Sequence, residues 1–345
     1  MKFKIDELRE RCEKLFCAAS VTPEDAAIIT DVILTTEMRG VFTHGFFRVP
    51  RYLSCMEKGG ISPASELKLL ADLPSFATAD GEGGLGIVLS YKAMALAIEK
   101  ARATGVGVVS VRNSHHFGAA GYYAEMAAKA GMIGLSMSNG DPLVAVTGSC
   151  VRSIGNNPFS YAAPAGKYGN IVYDIAMSHT SDIKVLRLAE EGKPCPEGWI
   201  IDKAGRPTTN PSDYINGGVL LPFGGYKGYG LAMMVEVMGA ALSGSAMLGG
   251  VHAWNDDPTR TGGVGHTFMA LDVSKVDDLA AFTARTETML DTVKGAALAE
   301  GTEKIYFPGE IERDRMAACL AAGEVDIADT TAEAFCAAEA RYGLA

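Results

Sequence analysis

The run Val106-Gly107-Val108-Val109-Ser110-Val111-Arg112-Asn113-Ser114-His115-His116-Phe117-Gly118 changes character halfway along. Its first half carries four β-branched residues, Val106, Val108, Val109 and Val111, which favour an extended, half-buried strand. Just beyond it, Ala119 to Ala130 shows the small-residue spacing of a helix. The two imidazoles therefore fall where a strand ends and a helix begins. At such a junction backbone N–H groups point outward, and polar side chains reach a mouth held by rigid elements.

Working outward, Phe76–Asp80 reads as a weak strand, followed by Gly81-Glu82-Gly83-Gly84-Leu85-Gly86. A helix containing Val88, Leu89, Ala93, Leu96, Ala97 and Ala101 then leads to the valine strand. Met132–Met137 and Ile171–Asp174 are further strands, the second buried and ending in a carboxylate. Periodicity alone gives a β-α-β-α-β string and predicts a parallel, doubly wound sheet. Gly81-x-Gly83-x-x-Gly86 formally matches the dinucleotide fingerprint. The same glycines also suit a tight turn before a helix.

Toward the N-terminus, Ile5, Leu8, Cys12, Leu15 and Phe16 recur at helical spacing. Thr22-Pro23-Glu24-Asp25 signals a second helix start, with a capping hydroxyl, a first-turn proline and acids at the positive end. That helix runs to Gly40. Thr43 is expected to cap a third helix, with His44 and Arg48 four apart on one face and Pro50 kinking or restarting it. Toward the C-terminus, the segment from Lys184 to Pro222 is polar and loop-rich. Gly224 to Gly230 opens an apolar stretch reaching Val251. Its length permits a membrane span, but Glu236 at its centre favours a buried helix. A polar loop from Trp254 to Gly265, a strand from Phe268 to Val273 and terminal helices follow.

A chain of 345 residues is long enough for two domains or one domain with a satellite. Its net charge of −10 argues against a nucleic-acid partner and against anionic membranes. The seven cysteines include no C-x-x-C, so neither a zinc ribbon nor a disulfide framework is indicated, and free thiols suit a reducing compartment. The N-terminus turns acidic at Asp6-Glu7, too early for a signal peptide, and a cytoplasmic location is expected. No H-E-x-x-H spacing points to a metal, and no G-x-S-x-G elbow points to a hydrolase.

The remaining chemistry lies in a few side chains. Arg48 offers a planar fork that matches a carboxylate, and His44 stands beside it in sequence. His116 has the intrinsic pKa for proton transfer. Lys227, in a glycine-rich turn at a helix start, adds positive charge where a helix already favours an anion. His179, His252 and His266 stand singly and read as structural.

Six segments, in order along nearly the whole chain, resemble the malate/L-lactate dehydrogenase family, which is unrelated to the usual Rossmann dehydrogenases. They are Arg39 to Gly45 with Arg48 and Tyr52; Val109 to Gly118; Gly155-Asn156-Asn157-Pro158; Pro196-Glu197-Gly198-Trp199; Leu221 to Gly230; and Pro308-Gly309-Glu310. The resemblance implies hydride transfer between NAD(P)H and a small 2-oxo or 2-hydroxy acid. NAD is the favoured cofactor of the two. It makes His116, with His44 and Thr43, the catalytic residues, and gives Arg48, Tyr52 and Asn156 to the substrate. Cofactor contacts would fall on Phe117, Gly118, Ala119, Ala120, Asp174, Ile175, Ala176, Lys227, Pro308, Gly309 and Glu310. It also implies a homodimer.

For the fold, the resemblance implies an α/β (α+β) chain with a non-Rossmann cofactor domain on a mixed, largely antiparallel sheet, plus a helical domain from the chain ends. The expected division is 1–72 helical, 73–290 cofactor- and substrate-binding, and 291–345 returning to the helical part. This reading takes precedence over the parallel sheet, because six ordered motifs outweigh one glycine fingerprint. Met177 and Ile183 depart from the family pattern of Thr and Gly at those positions. They leave two alternatives open: a reductase of a cyclic imino acid such as Δ1-piperideine-2-carboxylate, and a NAD(P)-binding sensor without turnover.

Overall fold

A computed structural model describes residues 1–344. In chain order the strands are β1 (Lys2–Lys4), β2 (Lys68–Asp72), β3 (Phe76–Asp80), β4 (Val106–Ser114), β5 (Met132–Ser138), β6 (Phe159–Pro164), β7 (Asn170–Ile175), β8 (Ile200–Ile201), β9 (Pro207–Thr208), β10 (Val219–Leu220), β11 (Val264–Asp272) and β12 (Glu324–Asp326). The helices are α1 (Ile5–Ala18), α2 (Pro23–Met38), α3 (Val49–Glu57), α4 (Gly86–Thr104), α5 (Ala120–Lys129), α6 (Asp182–Glu190), α7 (Pro211–Ile215), α8 (Tyr226–Glu236), α9 (Leu279–Lys294), α10 (Glu310–Ala322) and α11 (Asp329–Arg341).

The main sheet has seven strands in the order β2-β3-β4-β11-β5-β6-β7. Only β3 and β4 pair in parallel; the other five pairings are antiparallel. The mixed, largely antiparallel sheet is therefore the correct reading, and the doubly wound one is not. The helix-linked order was right locally, since α4 does join two parallel neighbours. But β11 returns from far along the chain and inserts between β4 and β5, antiparallel to both. The glycine fingerprint is corrected too. Gly86 opens α4 where an added Cβ would lie 2.1 Å from the carbonyl oxygen of His115 and 2.5 Å from that of His116. Glycine there lets the helix start press against the histidine turn.

Period-two alternation explains the layers. Val109 and Val111 of β4 are fully buried on one side, in the core shared with α4. Each contributes about 1.5–3 kcal/mol by leaving water. On the other side Ser110 pairs its hydroxyl with Thr267 of β11, which donates to the carbonyl of Met238. Helices α4 and α5 cover one face of the sheet, and α2 lies outside α4. The chain ends meet there: β1 pairs with β12, α10 packs on α2, and α11 packs on α3. Strand β2, although within 1–72, belongs to the sheet by its hydrogen bonds.

Thr22 accepts from the Asp25 N–H and caps α2 as expected. The third helix differs. Phe42–His44 and Phe46–Arg48 form two short 3-10 turns, and α3 begins only at Val49, with Pro50 in its first turn. Thr43 caps no helix. Strand β7 is an edge strand rather than a buried one, with Ile171 its one buried residue. The apolar stretch after Gly228 is no buried helix either: α8 passes at Val237–Ala241 into a π-helical turn, and one side of it is exposed. Among the described residues no helix is long and apolar enough to cross a membrane.

Candidate active site

The end of β4 is fixed before the histidines are reached. Arg112 Nε and Asn113 Nδ2 donate to the carboxylate of Asp80, at the end of the parallel neighbour β3. Asn113 takes a left-handed conformation, φ 51°, which an amide side chain tolerates. A register shift in β11 between Val264 and His266 bends the sheet at the same point. The chain then turns through His115 and His116, and α5 starts at Ala120.

His116 lines a cleft of about 1170 Å3 between the helical layer and the sheet edge. Its ring is sandwiched. Trp254 stacks on it at 4.6 Å between centroids and 14° between planes; His44 lies stacked at 5.4 Å and 17°. Its Nδ1 faces the hydroxyl of Tyr52 at 2.5 Å. Arg48 belongs to the same group: its guanidinium carbon is 5.4 Å from the Trp254 ring. Arg48 is only 8% exposed, and its Nε donates to the carbonyl of Thr43 at 2.7 Å. The Thr43 hydroxyl meets His44 Nδ1 at 2.9 Å. Thr43, His44, Arg48, His116 and Asn156 thus border one cavity.

The environment keeps these imidazoles neutral. Burial, with the charge of Arg48, pushes His44 down to about 3. Burial, Arg48 and His44 hold His116 well below its ordinary value. The turn carrying His44 and Arg48 hangs on Glu37, whose carboxylate accepts from the Phe46 N–H at 2.7 Å. Gly45 permits this, since a Cβ there would lie 2.0 Å from a Glu37 carboxylate oxygen. Burial pushes the Glu37 carboxyl up to about 7.

The other half of the cleft begins at the start of α5. Gly118, Ala119 and Ala120 line it, and no side chain caps that helix. The Gly121 N–H donates to Asp174 at 2.7 Å. Asp174 is open to the cleft but enclosed by its walls, and that enclosure pushes its carboxyl up to about 6. Ile175, Ala176, Pro308 and Gly309 complete this side. A helix start with no side-chain cap and a carboxylate nearby suit the phosphates and hydroxyls of a dinucleotide.

Four expected residues stand differently. Tyr52 is 1% exposed and sits behind His116, so its hydroxyl meets the imidazole and not the cavity. Phe117 lines the cleft, but its ring is committed to the core, stacked on His266 at 4.8 Å. Glu310 turns away from the cleft to Lys294 and Lys304 and pins the Phe307–Glu310 turn. Lys227 is exposed at the start of α8 and is not among the residues lining this cleft. Met177 is buried in a second core, which accounts for the apolar residue there. Trp254 was missed. Its signal was an aromatic side chain alone in a loop of Asp, Thr and Gly.

The family model for malate/L-lactate dehydrogenases matches residues 3–336. Malate dehydrogenase of Pyrococcus abyssi is 39% identical over 312 residues, 88% of this chain and 85% of its own length. L-sulfolactate dehydrogenase of Methanocaldococcus jannaschii is 38% identical over 297 residues, 86% of this chain and 85% of its own. The solved structure of sulfolactate dehydrogenase from that organism superposes with a TM-score of 0.93 at 33% identity, covering 100% of this chain and 98% of that one. Δ1-Piperideine-2-carboxylate reductase of Pseudomonas syringae gives 0.87 at 29% identity, with all of both chains covered. Shared over this length in sequence and in fold, these likenesses show that the chain belongs to the malate/L-lactate dehydrogenase family.

Proposed function

We propose that the cleft interconverts a small 2-oxo acid and its 2-hydroxy acid, with His116 and Arg48 as the working pair. The observation that carries this reading is that both side chains pack against Trp254 in one cavity. Arg48 is buried with no carboxylate in ion-pair range among the described residues, so its outer donors are free for the substrate carboxylate. His116 holds or receives the proton on the substrate oxygen. Trp254 and His44 confine the imidazole between two flat faces and exclude water from it. Gly118, Ala119, Ala120, Asp174, Ile175, Ala176, Pro308 and Gly309 would hold a nicotinamide dinucleotide, which supplies the hydride when bound.

NAD is the preferred cofactor in this reading. The wall around Asp174 also carries Glu125 and Glu312, while Arg39 is tied to Glu125 and Arg313 to Asp314. An added phosphate would meet carboxylates there, and the two guanidiniums on that wall, Arg39 and Arg313, each already face one. At the substrate end, Arg152 lines the cavity over Tyr214, 4.8 Å from the ring centroid, and forms no ion pair among the described residues. A second free guanidinium favours acids with a second negative group, the chemistry of malate and sulfolactate. The apolar side of α8 and the π turn supports a second copy of the chain as partner, and hence a homodimer.

The test is a screen of NADH and NADPH against 2-oxo acids, 2-hydroxy acids and cyclic imino acids. Turnover with a dianionic 2-oxo acid and NADH is expected; inertness across the panel would defeat the reading. His116→Ala should lower kcat about 100-fold or more and leave NADH binding intact.

A further inference from the structure

We propose that Tyr52 is a positioning residue for catalysis: from behind the ring it holds His116 as the neutral tautomer with its proton on Nε2. The inference rests on the role given to His116 above. Two donors converge on Nδ1. The Tyr52 hydroxyl lies 2.5 Å from it, and the Gly118 backbone N–H points at it from 3.4 Å. A backbone N–H can only donate, so Nδ1 is the nitrogen that carries the lone pair. Facing an acceptor, the phenol donates. Its other polar neighbour is the carbonyl of His116 itself, at 3.5 Å.

The tautomer follows from this geometry. With Nδ1 accepting, the ring proton sits on Nε2, which has no protein partner among the described residues. The cleft side of the ring is then a donor aimed at a substrate carbonyl oxygen, as reduction requires; receiving a proton in the oxidation direction needs the other tautomer, with Nε2 bare. Protonating Nδ1 would set an N–H against the Gly118 N–H and force the phenol to turn and accept, so the ring resists becoming a cation in the free enzyme. The charged and titratable neighbours act the same way. Arg48, His44, His115 and His266 all disfavour a charge on His116. Gly118 is held at φ 78°, which aims its N–H back at the ring. Tyr52 itself is a stable donor, because burial pushes its phenol far above the ordinary range.

Nitrogen-15 NMR of the full chain, labelled on histidine, reads the tautomer directly, with His116 assigned by its loss in His116→Ala. At neutral pH, Nδ1 should resonate as a non-protonated nitrogen and Nε2 as a protonated one. A protonated Nδ1 overturns the proposal, even in a fully active enzyme. Tyr52→Phe should populate both tautomers and lower kcat for reduction about tenfold or more, with KM and NADH affinity within about threefold. The pKa that governs the acid side of the pH–rate profile should rise, because a donor to the neutral ring is gone. Unchanged tautomer, kcat and pH profile in Tyr52→Phe would make the hydroxyl a packing group and overturn the proposal. If that variant does not fold, the wild-type spectrum still decides. An enzyme inert on every substrate defeats the reduction reading and leaves the tautomer measurement standing.

Discussion

Arg48 is the most committed side chain of the site. It is buried, its Nε is spent on Thr43, and only its outer nitrogens remain for a ligand. Arg48→Lys keeps the charge but loses the fork, so KM for the 2-oxo acid should rise about 10- to 100-fold with little change in NADH affinity. Steady-state kinetics with both substrates varied checks this. Arg152 allows a sharper test of substrate class. Arg152→Ala should weaken binding of an acid with a second negative group about tenfold and leave a monocarboxylic 2-oxo acid nearly unaffected. Equal losses on both would remove Arg152 from recognition. His44, Arg48, His116 and Asn156 were legible in the sequence because short motifs carry them and their chemistry suits the task. Trp254 was not, since nothing local in its polar loop says which ring it covers. Tyr52 was assigned to the substrate by the resemblance, because a motif names a residue without saying which side of an imidazole it meets.

The two 3-10 turns between α2 and α3 show how an element places a site. Phe42–Arg48 has no side-chain cap at either turn and is tied to α2 through Glu37. Burial pushes the Glu37 carboxyl up to about 7 in the folded chain, against an ordinary value of 4.5. Because the folded value is raised, its contribution is fully present below about pH 4.5 and is lost as pH rises through 7. Between pH 5 and 8 this amounts to roughly 2–3 kcal/mol of stability. Glu37→Gln removes the titration, so the variant should lose less stability than wild type over that interval. Urea unfolding of both proteins at the two pH values measures the difference; identical losses would exclude Glu37 as the source. These turns were misread as a helix because Thr43, His44 and Arg48 fit helical spacing, while the tie to Glu37 is tertiary. The sheet was half legible for a similar reason. The β3-α4-β4 unit is local, but β11 pairs Val264 with Ser114, and no periodicity announces a strand from so far away.

At the scale of the whole molecule, the apolar stretch after Gly228 departs from the buried helix its sequence favours. It is neither a span nor a buried helix; its apolar residues divide between two sides. Ala232, Val235 and Ala240 are buried, while Leu231, Val237, Leu242, Met247 and Leu248 are exposed, Val237 at 54%. Tyr226, at 70%, extends the same side. Apolar side chains left exposed in this number along one stretch are costly in water unless something covers them. The buried side of the same helix reaches the active site. Glu236 accepts from Asn139, Asn157 and the Leu248 N–H, and Asn157 in turn accepts from the Gly140 N–H beside the substrate wall. In the proposed homodimer, assembly and catalysis would therefore be joined through one helix. Val237→Glu places a charge on the exposed side, at a residue that does not line the cleft. If the proposed homodimer forms through this face, the wild type should sediment as a dimer and the variant as a monomer. It should also lose kcat/KM, because an uncovered α8 holds the Asn157–Gly140 contact less firmly. A variant that stays dimeric would show that this face is not the interface. A monomer with undiminished kcat/KM would confine α8 to assembly and cut the link to the substrate wall.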